Sequence, residues 1–140
     1  MDKFKEIRPI ALGIVKRNNK ILVNKFSDSN KNEVFYRCLG GGIEFLEKGE
    51  DALKREFKEE LDLDVKVGNF LGIVENIFEY KGKNAHELIL FYKVDIKEDD
   101  YREIYKVIDD ADETEAVWMD IEAFKEKKYI LYPLQILNMI

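Results

Sequence analysis

The chain has 140 residues, the length of one ordinary domain, and 46% are apolar, with nine Phe and seven Tyr to build a core. That composition excludes disordered and fibrous classes, and the single cysteine, Cys38, excludes an internal disulfide framework. A net charge of −6, from 29 acidic against 23 basic residues, leaves no dominant basic stripe, so a long nucleic acid is not the expected partner.

The N-terminal MDKFKEIRP lacks the hydrophobic region of a signal peptide, and no apolar run approaches the ~18 residues of a membrane span. The cytoplasm is therefore expected, with no membrane partner. Residues 10–15 are apolar and read as a strand, followed by a turn at 16–19 and a second strand at 20–23. Phe26 to Glu33 is polar and reads as a loop. Val34 to Leu39 is a short strand leading into Gly40, Gly41 and Gly42. It carries Cys38, a buried spectator by its apolar setting, since the only histidine, His86, lies far away in sequence. A helix is predicted from about Lys48 or Gly49 to Leu61, and Val65 to Val67 reads as a strand edge. Phe70 to Tyr80 and His86 to Ile96 form the strongest hairpin signal, joined around Lys81-Gly82-Lys83-Asn84. Asp99 to Glu113 reads as an acidic loop or a short helix-bearing insert. Glu115 to Met119 returns as a strand, and Ile121 to Glu126 starts a short helix. Pro133 then opens a packed C-terminal helix. One mixed sheet with helices on its faces satisfies this order.

Most of the information lies between Gly40 and Leu63, in GGGIEFLEKGEDALKREFKEELDL. Leu53, Phe57 and Leu61 recur every fourth residue, which marks a helical period with one buried face. At about 100° per residue, Glu56 and Glu60 lie one turn apart on an adjacent face, with Glu59 beside them. Lys54 and Lys58 point toward solvent. Carboxylates so clustered repel one another unless a cation sits among them, and hard divalent ions such as magnesium favour an oxygen-only setting. The plain alternative is an acidic helix facing water. Two features weigh toward a metal. Arg55, one turn from Glu59, can brace a carboxylate, and a triple glycine before the helix allows a tight turn with amides or carbonyls facing a ligand.

This window resembles the Nudix hydrolase family. The family pattern runs glycine, five residues, glutamate, seven residues, arginine-glutamate, an apolar residue, any residue, two glutamates, any residue, glycine and a final apolar residue. Gly41, Glu47, Arg55, Glu56, Phe57, Glu59, Glu60 and Leu63 occupy those positions. Two positions depart. Asp62 stands where the family has the glycine that closes the helix, and Asp tolerates the left-handed conformation better than most residues. Leu46 stands where a glycine usually precedes the first glutamate, so the loop is expected to take a slightly different path. The resemblance implies a single Nudix domain over residues 1–140 and an α/β/α sandwich with a mixed β-sheet. It also implies hydrolysis of a nucleoside diphosphate linked to another group, with magnesium or manganese required.

The same resemblance implies that Glu56, Glu59 and Glu60 bind metal, with the carbonyl of Gly41 completing the shell and Glu56 alternatively orienting water. Arg55 would fix a carboxylate, and Glu47 would brace the helix start. No residue is assigned to an organic cofactor. Many relatives place a general base on a later strand or loop, which makes Glu75, Glu79, Glu87, Glu113 and Glu115 candidates. Glu87 ranks first because His86-Glu87-Leu88 opens an otherwise apolar strand; the alternative is the wet end of a strand. Arg37 and His86 are the candidate substrate-binding residues, with Lys25, Lys81 and Lys83 as further phosphate partners. Phe78 or Tyr80 could stack on a base or pack the core. The expected partner is a small nucleotide: a nucleotide sugar, ADP-ribose, a nucleoside triphosphate or a dinucleoside polyphosphate. Alternatives are pyrophosphate removal from an RNA 5′ end and a non-catalytic nucleotide-binding module. A homodimer is expected only by analogy with many relatives.

Overall fold

The computed structural model describes residues 5–108 and 113–140. Its strands are β1 (Ile7–Ile14), β2 (Lys16–Arg17), β3 (Lys20–Asp28), β4 (Glu33–Arg37), β5 (Leu39–Gly42), β6 (Lys66–Tyr80), β7 (Lys83–Asp95), β8 (Ile104–Ile108) and β9 (Glu113–Asp120). Its helices are α1 (Gly49–Leu61) and α2 (Ile121–Lys125). Among the described residues no helix is long and apolar enough to cross a membrane.

The strands form two sheets. The first runs β5-β1-β7-β6 and is mixed, because β1 pairs parallel with β7 while its other pairings are antiparallel. The second runs β2-β3-β9-β8, with β4 alongside the outer half of β3. Residues 10–14 of β1 are buried without interruption. Successive side chains point to opposite faces, so such a run needs cover on both sides. On one face, Ala52, Leu53 and Phe57 of α1 pack with Ala11, Leu39, Val94 and Val107. On the other, Phe124, Leu131 and Ile136 from α2 and the C-terminal segment pack with Ile10, Leu12, Ile89 and Phe91. The expected α/β/α layering is thus observed, built on two sheets where one was anticipated.

The boundaries of α1 agree with the sequence reading, and Asp62 closes it in the left-handed conformation at φ 55°, its amide bonding back to the Lys58 carbonyl and the Leu63 amide to that of Phe57. Other elements differ. The three glycines do not make a tight turn but lie in β5, opposite Ile10, Ala11 and Leu12 of β1. Gly40 has φ 147°, and a Cβ there would be driven into the Ala11 carbonyl oxygen. Glycine serves close strand approach at this point. Residues 34–39 do not form one strand, because the chain changes sheets at Cys38: β4 pairs with β3 and β5 with β1.

The polar stretch read as a loop from Phe26 instead continues β3 to Asp28. Asp28 is buried and accepts hydrogen bonds from the amides of Asn30 and Lys81, so its polarity is satisfied inside the fold. The acidic stretch after Asp99 contains a strand, β8, whose Tyr105 and Val107 alternate inward; residues 109–112 of that stretch lie outside the described residues. The C-terminal element is a 3-10 turn over Leu134–Asn138 in place of an α-helix, packed through Ile136.

Replacing Gly40 with Ala should lower unfolding stability by about 2 kcal/mol or more, since it adds both backbone strain and a steric clash. Chemical denaturation measures this, and an unchanged midpoint would contradict the role given to the glycine strand.

Candidate active site

The loop from Ile43 to Lys48 and the first turns of α1 are organised around Arg55. Its Nε donates to Glu47 Oε2 at 2.9 Å, and Nη2 donates to Glu47 Oε1 at 3.0 Å and to the Gly42 carbonyl at 2.9 Å. Nη1 donates to Glu56 Oε1 at 2.8 Å and, more loosely, to Glu59 at 3.4 Å. A planar guanidinium suits this work because its donors leave in fixed directions. Glu47 also accepts from the Glu44 amide at 3.0 Å. Hydrogen bonding by Arg55, then by that amide, lowers the Glu47 carboxyl to about 2, and the carboxylates in turn raise Arg55 above its ordinary value.

Beyond Arg55 the α1 carboxylates face a cavity of about 840 Å³, lined by Glu56, Glu59 and Glu60 from the helix and by Gly40, Gly41 and Gly42 from β5. A Cβ on Gly41 would lie 2.7 Å from Glu56 Oε2, so only glycine lets this carboxylate seat against the strand. The acidic donors are oxygens only, which fits magnesium or manganese. Among the described residues no three His, Cys, Asp or Glu groups are drawn together tightly enough to hold an ion as they stand. Arg55 draws Glu56 and Glu59 toward itself, so a shared ion requires these side chains to turn. The Glu59 side chain, 59% exposed, has room to do so.

The far wall of the cavity belongs to β3, β4 and β7. Arg37 and Glu87 form a 2.8 Å ion pair, and Asn76 Nδ2 donates to the same Glu87 oxygen at 3.3 Å. Arg37 also lines two further spaces, of about 150 and 540 Å³. Phe35, Phe78 and Tyr80 line both of these, and Tyr132, Gln135 and Asn138 line the larger one. The three spaces make one trench. Among the described residues, Asn24 Oδ1, Arg37 Nε and His86 Nε2 are buried without a hydrogen-bond partner, and all three residues line it. Orphaned buried polar atoms are rare and point to a ligand or water.

The fold therefore brings Gly41, Glu56, Glu59, Glu60, Glu87 and Arg37 to one cavity, with His86 in the adjoining space. Arg55 stands behind the carboxylates, as a bracing role requires. Of the later-strand candidates, Glu75, Glu79, Glu113 and Glu115 do not line this cavity, and neither do Lys25, Lys81 and Lys83. Burial raises the Cys38 thiol to about 12, which removes it as a nucleophile near neutral pH. Sequence reasoning missed Arg8, Asn24, Tyr132, Gln135 and Asn138. Arg8 reaches the site through the parallel register that sets it opposite Glu87, a pairing with no local sequence signal.

A family model, the NUDIX domain, matches residues 7–136. The chain belongs to the Nudix family. It is accordingly a hydrolase of pyrophosphate bonds, and the family generally acts on nucleoside diphosphate derivatives. Solved Nudix structures carry the same fold. The chain is similar to the MutT protein from Methanosarcina mazei Go1, with a TM-score of 0.68 and 15% identity over 99% of this chain and 94% of that one. A MutT NUDIX hydrolase from Burkholderia pseudomallei gives 0.63 and 21% over 84% and 86%. The E. coli ORF135 protein gives 0.61 and 20% over 95% and 87%. No curated protein matches the chain in sequence.

Leu46, the departure from the Nudix pattern in the loop, has φ 68° and is 91% exposed. Leu46→Gly should stabilise the protein by about 0.5–1 kcal/mol, because relief of the left-handed strain exceeds the added freedom of an unfolded glycine. A lower melting temperature in the variant would refute this. Glu47 makes a second prediction. Its folded carboxyl lies below its ordinary value of 4.5, so its stabilising contribution is complete above that pH and is lost as pH falls toward about 2. Glu47→Gln should flatten the stability–pH curve across that acid window. An unaltered slope, followed by circular dichroism, would show that the Arg55–Glu47 bond contributes nothing.

Proposed function

We propose that this Nudix hydrolase cleaves the pyrophosphate bond of a small nucleoside diphosphate derivative, using magnesium or manganese held by Glu56, Glu59 and Glu60. The observation that carries the reading is the continuity of the trench. Through Arg37 it joins the carboxylate cavity to an aromatic-lined space of about 540 Å³, within the range of small-molecule sites. The nucleoside enters the aromatic space, where Phe35, Phe78 and Tyr80 offer ring faces and Gln135 and Asn138 offer amide donors and acceptors. The diphosphate then lies across the carboxylates.

Positioning and electrostatics carry most of such a reaction. Water attacks one phosphorus, a new P–O bond forms, the bridging P–O bond breaks, and the leaving phosphate departs with its electron pair and accepts the proton that the attacking water loses. A divalent ion at Glu56, Glu59 and Glu60 supplies positive charge against the phosphate oxygens and makes water a better nucleophile. Gly41 lends its carbonyl to that site, and Glu56, seated on β5, orients the water. Arg37 binds phosphate, and the buried, unpartnered His86 Nε2 contacts the nucleotide. Glu87 already accepts from Arg37 and Asn76, so we assign it to holding Arg37 in place of the base role expected from its strand position.

Incubation with magnesium or manganese and a panel of nucleotide sugars, dinucleoside polyphosphates and nucleoside triphosphates, with products identified by mass, tests this reading. Glu60→Gln should lower turnover on the order of 10²–10³-fold, the cost of several kcal/mol of charge stabilisation, and chelation should abolish it. A folded, metal-supplied protein that turns over none of the panel would favour the nucleotide-binding module instead.

A further inference from the structure

The trench does not end at the box. Beyond Gly42 lies a further groove of about 370 Å³, which shares Arg8, Gly42 and Glu56 with the carboxylate cavity. Ile7, Pro9 and Ile43 give it apolar surface, and Glu6 and Glu44 line it with carboxylates. Two cations also line it. Arg55 is engaged with Glu47, Glu56 and the Gly42 carbonyl. The Arg8 side chain makes no ion pair or hydrogen bond among the described residues, although it lines the groove, the carboxylate cavity and the smaller aromatic space.

We propose that this groove receives the group linked to the diphosphate, that Arg8 holds the phosphate next to it, and that the group is uncharged and hydroxylated, not a third phosphate. The inference rests on the hydrolase reading above. Its first support is order along the trench. Arg37 lines the aromatic spaces and not the groove, Gly42 and Glu56 line the groove and not the aromatic spaces, and the cavity with Glu59 and Glu60 lies between, while Arg8 borders the groove, the cavity and the smaller aromatic space. A substrate that fills such a trench extends on both sides of its diphosphate, whereas a nucleoside triphosphate stops in charge on one side.

The second support is the chemistry of the groove. An ionised carboxylate only accepts hydrogen bonds, and sugar hydroxyls donate them. A terminal phosphate offers acceptors and negative charge, so Glu6 and Glu44 repel it; like-charge juxtaposition of this kind is how sites reject wrong ligands. The apolar surface of Ile7, Pro9 and Ile43 matches the C–H faces of a sugar ring.

The test compares kcat/KM for UDP-glucose against UTP, and for ADP-glucose against ATP, at fixed magnesium. The wild type should favour the sugar nucleotide in the better pair by about tenfold or more. The double variant Glu6→Lys, Glu44→Lys, at exposed positions and checked as folded by circular dichroism, should move that ratio toward the triphosphate by about tenfold. Arg8→Gln should raise KM more than it lowers kcat while leaving magnesium affinity unchanged. A wild type that prefers triphosphates, or a ratio unmoved by the lysines, overturns this inference alone. Hydrolysis of none of the four compounds also overturns this inference, and the hydrolase reading falls with it only if the dinucleoside polyphosphates and the rest of the panel are untouched as well.

Discussion

Arg55 directs its donors to Glu47, Glu56 and the Gly42 carbonyl, and thereby ties the loop, the helix and the glycine strand to one group. Isolated surface ion pairs add little stability, but a planar fork engaged on several sides fixes direction as well as distance. Glu56 sits against Gly41 because that strand has no side chain there, and the strand stays near the helix because Arg55 reaches across to its carbonyl. The cavity between them follows from these constraints. Lysine could replace the charge of Arg55 but not its geometry.

Sheet topology does for the substrate wall what Arg55 does for the carboxylates. The parallel pairing of β1 with β7 sets Arg8 opposite Glu87, and β3 pairing with β4 sets Asn24 opposite Arg37. Four polar residues from four strands therefore gather along one cavity wall. Glu87 lies nearly fully buried and is partnered by Arg37 and Asn76, which keeps a buried charge from being left alone. Hydrolysis of a charged anhydride benefits from this arrangement, because groups fixed before substrate arrives need little rearrangement during reaction.

Much of this was legible in the sequence. Leu53 and Phe57 announce the buried face of α1, and the carboxylate spacing in the box resembles a family whose fold the chain has. The hairpin was visible over residues 70–80 and 86–96 because β-branched and aromatic residues alternate between turn signals, while 65–67, read as a separate strand edge, continues the same strand β6 from Lys66. What escaped depends on partners remote in sequence. The glycines read as a turn because glycine permits one, yet the close approach of Ala11 makes them a strand. Residues 104–108 escaped notice because acidic neighbours hid a two-residue alternation of Tyr105 and Val107. Gln135 and Asn138 carry no local signal of a binding role; their place in the trench depends on where the C-terminal segment packs. Arg37 was named from its strand, but its face toward the cavity could be decided only when β3 and β7 flanked it.

Metal-dependent hydrolysis at this site requires that Glu56, Glu59 and Glu60 turn from their present partners to share one divalent ion. Manganese binding followed by electron paramagnetic resonance tests it without substrate. The wild type should bind the ion with defined stoichiometry, and the combined Glu56→Gln, Glu59→Gln, Glu60→Gln variant, checked as folded by circular dichroism, should lose it. Equal binding by both proteins would place the metal, and with it the chemistry, elsewhere on the chain.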